Sequence, residues 1–326
     1  MSRDLYTKRR ELFKKYYRWS MLANDCDPAL FLMNYVNKRM ELNIEQKYWF
    51  AWLYANTYNV ATAWILFNEF PDFENVDLGR LTQWNEVNYR KLRYQVDNRW
   101  QKGFLPKMFE SYRNNIYSIA PTQLQYFQML CGGKSEYEDF YVCNKMIIIN
   151  FFKFGRYLSW FYLQTLRETC GLAIKPDNLL LKDDASESHR HGLMYALGLD
   201  GFIDKDIKLS DEVYDYLDEE AALLLSELEQ EYPDIKFDYF NMETNLCAWK
   251  KVFREKHGRY LGYYIDRQSE DISQVSSDGF NGIDWDLLWS GRNETLDQRL
   301  LGGEVDKRKY GEYLRTGEIS RINWFD

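Results

Sequence analysis

Four groupings along the chain combine residue types and spacings that could do chemistry. In Ser188-His-Arg-His-Gly192 two imidazoles flank one guanidinium beside a glycine. Arg190 in that setting can clamp a phosphate or carboxylate through paired hydrogen bonds, with His189 and His191 assisting. The same residues also suit a surface turn capped by Ser188, and they show no partner ligands at metal-site spacing. In the stretch from Asp284 to Glu294, Asp284 and Asp286 lie two apart, followed by Arg292. Either carboxylate can serve as a general base and the arginine as an anion ligand, though a C-terminal helix docking through its tryptophans fits equally. The block from Trp49 to Pro71 mixes aromatic rings with amides: Asn56 and Asn59, three apart, share a face with Trp52, and Glu69 lies near the end. Rings and amides together can hold an extruded base by its faces and edge, but they also describe core aromatics whose amides bond neighbouring helices. Finally, Cys131-Gly-Gly-Lys-Ser135 contains the end of a phosphate-binding loop, yet Gln128 stands where that loop needs glycine, and a helix precedes it. It reads as a helix C-cap.

These residues need elements to position them, and the composition predicts helices. Aromatic residues make up 17% of the 326, while proline occurs only six times, which favours long, well-packed helices. Three- and four-residue spacing predicts one helix over 44–70, stopped by Pro71, and another over 1–18. Two helices are expected in 80–117, broken near Gly103 and Pro106. A helix opened by Pro121 ends at Gly132-Gly133, and a central apolar helix runs over 146–169 to Gly171. Beyond Pro176 come a loop and short helix, then an acidic helix over 211–231. The stretch 269–282 reads as a linker, and 236–240 is the one fair strand candidate. The expected fold is all-α, a multi-helix globular protein of two lobes. Residues 1–175 form the aromatic-rich lobe with a basic face; residues 176–326 carry the acidic stretch and a C-terminal docking segment.

Charge is uneven although the net value is −8. Residues 80–113 hold eight bases against three acids, residues 1–18 seven against two, and residues 200–243 fifteen acids against three bases. A basic face can meet a phosphate backbone while an acidic one limits indiscriminate binding, and solvated helix faces give the same pattern. The five cysteines are scattered without a CxxC pair, the pattern of reduced core thiols in a cytoplasm. The most apolar stretch is crossed by Lys153, Arg156 and Gln164, so no membrane partner is expected.

Three blocks, WFAWLYANTYNVATAWILFNEFPDF, NRWQKGFLPKMFESYR and NLLLKDDASESHRHGLMYALGLD, together resemble the α-glutamyl/putrescinyl thymine pyrophosphorylases. These are also described as bacteriophage amino acid:DNA transferases. The resemblance covers most of the chain and implies a helical fold related to DNA glycosylases, working in the host cytoplasm. It implies double-stranded DNA bearing phosphorylated 5-hydroxymethyluracil as substrate, and an amino acid or polyamine that displaces the phosphate or pyrophosphate. For that chemistry Trp52, Trp64, Asn56 and Asn59 are the expected base-binding set. Arg190 with His189 or His191, or Arg90 and Arg93, are expected to stabilise the leaving phosphate. Glu69, Asp284 or Asp286 would take the proton from the amine, and Arg292 would hold an amino acid's carboxylate. Arg80, Arg90, Lys91, Arg93, Arg99 and Lys102 are the expected contacts to the DNA backbone. No cofactor is expected, and Mg²⁺ is compatible but supported by no motif. The competing readings are a non-catalytic helical DNA-binding module that partners a 5-hydroxymethyluracil DNA kinase, and a glycosylase-like enzyme.

Overall fold

A computed structural model describes residues 3–94, 102–133, 135–183, 186–203, 208–252 and 262–296. Helix α1 (Arg3–Leu22) is followed by α2 (Pro28–Arg39), and the aromatic block forms α3 (Ile44–Thr57) and α4 (Val60–Glu69). Next come α5 (Leu78–Asn88), α6 (Leu105–Ile119), α7 (Gln123–Leu130), α8 (Glu136–Asn150) and α9 (Arg156–Cys170). The remaining helices are α10 (Glu187–Ala196), α11 (Asp211–Glu231), α12 (Tyr239–Val252), α13 (Tyr263–Ser277) and α14 (Trp285–Thr295). No strand occurs among the described residues, so the fold is all-α. The expected strand over 236–240 is absent because Tyr239 and Phe240 open α12.

The chain divides into two compact units. The first comprises Met1–Pro28, Asp177–Asp266 and Leu296–Asp326; the second comprises Ala29–Pro176 and Arg267–Thr295.

The second unit is built around the aromatic block. Asn43 starts α3 with a reciprocal cap: its side chain accepts from the Gln46 amide at 3.0 Å and its own amide donates to the Gln46 side chain at 3.2 Å. The single helix expected over 44–70 is in fact two. Tyr58 turns into the left-handed region at φ +46°, and Asn59 caps α4 by accepting from the Thr62 amide at 2.9 Å. A left-handed residue other than glycine costs about 1–2 kcal/mol, and the buried α3–α4 packing offsets it. The central helix expected over 146–169 is also broken, with α8 ending at Asn150 and α9 starting at Arg156. Gly171 at φ +75° closes α9 as expected. The Gly132-Gly133 segment is a helix end followed by a Ser135 cap on α8, not a phosphate loop. Within the core Trp52 is stacked between Trp49 and Tyr112, at ring-centre distances of 5.1 and 4.9 Å.

The first unit packs α1, α10, α11 and α12 on one another. Helix α12 has an almost entirely buried run from Tyr239 to Trp249, and α10 crosses it at a glycine. A Cβ at Gly192 would lie 2.0 Å from the Leu246 carbonyl oxygen, so the two backbones touch. The basic N-terminal segment and the acidic helix face each other. Arg10 reaches Glu220 at 2.6 Å and Glu227 at 3.0 Å, and Lys14 reaches Glu227 at 3.4 Å and also Glu231. Three of the acids over 211–231, Glu220, Glu227 and Glu231, thus neutralise α1, and the buried Arg10 and Lys14 have no share in a basic outer face. The linker expected over 269–282 is mostly helix: Ile265, Ile272 and Val275 are buried along α13.

Candidate functional site

Within each unit, most of the residues expected to act together are committed to contacts of their own. Trp52 has both ring faces covered by Trp49 and Tyr112, so no face is left on which to stack a base. Asn56 bonds back to the Trp52 carbonyl at 2.8 Å, and Asn59 is spent on the α4 cap, so the two amides do not form one edge-reading pair. Trp64 is buried, stacks on Phe67 and donates its indole N–H to the Asp284 carbonyl at 3.1 Å. Asp284 caps α14 by accepting from the Leu287 amide at 3.0 Å, and its neighbour Asp286 is exposed. Glu69 pairs with Arg80 at the end of α4, and Arg80 lies over the Phe70 ring. Arg292 is buried, with its Nε donating to Ser269 at 2.6 Å.

Of the expected DNA contacts, Arg90, Lys91 and Arg93 are exposed at the end of α5. Arg93 is paired with Asp278 at 2.9 Å. Lys102 donates to the Leu92 carbonyl, and burial pulls its ammonium below the usual lysine range. Arg99 lies outside the described residues. The same unit holds a cavity of about 340 Å³ whose wall includes Glu45, Asp72, Glu74 and Tyr117. Glu45 is committed to the N-terminus of α7, accepting from the Gln123 and Leu124 amides at 2.9 Å each. Asp72 and Glu74 give the cavity the sign that suits a cation.

In the first unit the expected phosphate clamp lies on a helix rather than in a turn. Positions two apart on a helix do not face each other, so His189 and His191 part company around Arg190. His191 lies 3.7 Å from Glu187 one turn earlier. Arg190 gives one N–H to the Leu181 carbonyl at 2.8 Å and sits over Tyr214. His189 is fully buried instead. Its Nε2 is 3.0 Å from the Leu179 carbonyl oxygen and its Nδ1 is 3.1 Å from the Glu243 carboxylate.

Glu243 belongs to a polar core that the sequence reading missed. The Cys247 thiol lies 3.6 Å from the same carboxylate, and Thr244 donates to Asp27 at 2.9 Å. Asn245 donates to the Asn241 carbonyl at 2.8 Å and lies 3.2 Å from the Cys26 sulfur. Asp25 accepts from the Gly262 and Ile265 amides at 2.8 and 3.0 Å, and burial pushes its carboxyl up to about 7. So many ionisable and amide groups inside a helical core are costly unless partnered, and clusters of this kind concentrate at working sites. The visible signal was a run over 239–252 in which Asn, Glu and Thr interrupt apolar residues on every face, so no side of the helix suits solvent.

The described residues thus define the class of the protein by its fold: an all-helical protein with ionisable groups gathered in a buried core. No described helix is long and apolar enough to cross a bilayer. The model of the amino acid:DNA transferase family matches residues 23–257, more than half of the chain, and the protein belongs to that family. The match takes in α2 to α12, hence both the aromatic block and the buried α10–α12 cluster. A relative described as a serinyltransferase, from Salmonella phage ViI, is 28% identical over 272 residues. That alignment covers 79% of this chain and 65% of the relative, so the chain spans about two thirds of the relative's length.

Proposed function

We propose that this chain replaces the phosphate or pyrophosphate on 5-hydroxymethyluracil in double-stranded DNA with the amino group of an amino acid. Membership of the amino acid:DNA transferase family over residues 23–257 carries the reading. The description of its phage relative as a serinyltransferase favours serine as the amine. The reaction forms a carbon–nitrogen bond at the exocyclic carbon and breaks the carbon–oxygen bond, with the electron pair leaving on the phosphate. The amine must give up a proton before it attacks, and the leaving group needs cations as its charge grows. Arg190 uses one guanidinium N–H on Leu181, and its remaining donors make it the proposed phosphate ligand. The exposed Arg90 and Lys91 are the proposed backbone contacts.

The test is nucleoside analysis by mass spectrometry. DNA carrying phosphorylated and pyrophosphorylated 5-hydroxymethyluracil is incubated with the protein and a mixture of amino acids and polyamines. A nucleoside that has lost phosphate and gained serine is the expected product. A phosphorylated base returned unchanged from DNA that the protein still binds would replace the transferase with a binding module, and abasic sites would replace it with a glycosylase.

A further inference from the structure

We propose that α10 and α12 hold a divalent ion of the zinc type between His189, Glu243 and Cys247. Glu243 and Cys247 are four apart on α12 and so lie one turn above the other on a single face. Gly192 lets α10 come into backbone contact with that helix, which brings His189 across to the same place. The imidazole Nδ1 and the thiol stand 3.1 and 3.6 Å from the Glu243 carboxylate, and the three ligand atoms all lie within 4.8 Å of one another. Zinc bound tetrahedrally to nitrogen, oxygen and sulfur spaces its ligand atoms about 3.3–3.8 Å apart, given bonds of about 2.0–2.3 Å. The two spacings to Glu243 therefore lie at or just below that range, and a small adjustment of the trio would take the ion, with water as a fourth ligand.

The histidine's second hydrogen bond strengthens the case. A backbone carbonyl can only accept, so the contact to Leu179 places a proton on Nε2. In the neutral ring the Nδ1 lone pair then points at a carboxylate oxygen 3.1 Å away, and the two atoms need a proton or a metal ion between them. An imidazole N–H held by a carbonyl is the usual orienting contact of a metal-ligating histidine. Charge balance agrees, since a thiolate, a carboxylate and a neutral imidazole carry two negative charges, which a divalent ion cancels in a site closed to solvent. The thiolate selects a zinc-type ion over magnesium or calcium. Against the expectation of no metal, the set escaped the sequence reading because its ligands come from two helices some fifty positions apart. The ion would clasp α10 to α12, and its presence does not depend on the transferase reading.

Full-length protein, prepared without a histidine tag, is stripped with chelator and reloaded with Zn²⁺ or Co²⁺. The expected results are about one ion per chain by elemental mass spectrometry, a higher Tm on reloading, and a thiolate-to-cobalt absorption band in the near ultraviolet. Cys247→Ser should lose the band, whereas Cys26→Ser should keep it. A folded wild-type protein that takes up no ion, or binds Co²⁺ without that band, would overturn the proposal and leave a shared proton between His189 and Glu243. Persistence of the band in Cys247→Ser would do the same. If that variant does not fold, the wild-type cobalt spectrum decides alone.

Discussion

Trp52 makes its contribution through both faces of its ring, and its sandwich between Trp49 and Tyr112 sets what a substitution will do. Trp52→Ala should cost about 3–5 kcal/mol in urea unfolding, with DNA affinity per folded molecule unchanged. A selective loss of affinity for modified DNA, with stability kept, would instead return Trp52 to a base-binding role. Asp25 offers a pH-dependent counterpart. Burial pushes its carboxyl from the ordinary aspartate range up to about 7, against hydrogen bonds from Ile265 and Gly262 that favour the charged form. The folded protein therefore keeps this proton between about pH 4 and pH 7, where the unfolded chain has lost it, so stability from this group falls as pH rises. The stability advantage of wild type over Asp25→Asn should shrink by about 2–3 kcal/mol from pH 5 to pH 8. An advantage that stays constant across those conditions removes the argument. Neither residue's role could be read from its local sequence. Trp52 looked like a pocket because aromatic–amide spacing is the same in a pocket and in a core, and Asp25 finds its donors more than two hundred positions away.

At the scale of elements, the crossing of α10 and α12 depends on one missing side chain. Gly192→Ala places a methyl group 2.0 Å from the Leu246 carbonyl oxygen, so the helices must separate. The expected loss is about 3 kcal/mol or more, read as a lower urea midpoint, and a Tm equal to wild type would refute the close contact. Helix positions were legible wherever apolar periodicity met a conventional stop, as at Gly171 or in the acidic helix over 211–231. The break at Tyr58 was not, because no glycine or proline marks it and tertiary packing imposes the turn; the break at 151–155 carries Gly155 at the start of α9, a signal that the apolar run on either side of it masked. Helix α13 was hidden by composition: its serines and aspartates suggested a linker, while Ile265, Gln268, Ile272 and Val275 keep a helical rhythm of three and four on its buried side.

For the molecule as a whole, the two basic segments have different uses. Arg10 and Lys14 of α1 are buried in ion pairs with α11, whereas Arg90 and Lys91 stand in solvent. Arg90→Ala with Lys91→Ala should weaken DNA binding across sequences and lower the salt slope by roughly 1–2, at unchanged Tm. Arg10→Ala should do the reverse, lowering Tm because it leaves the half-buried carboxylates of Glu220 and Glu227 without their buried partner, with DNA affinity kept. Equal effects of both on DNA affinity would dissolve the distinction. Charge counts had located both segments but not their partners, which lie some two hundred positions apart. That separation also orders events during synthesis. Helix α1 leaves the ribosome roughly 10–40 s before the end of α11, at translation speeds of about 5–20 residues per second. Throughout that interval its cationic side has no acidic helix to cover it. The first unit therefore cannot mature in the order in which it is made, and the nascent chain must carry a basic, amphipathic helix past a ribosome rich in phosphate before its own carboxylates arrive.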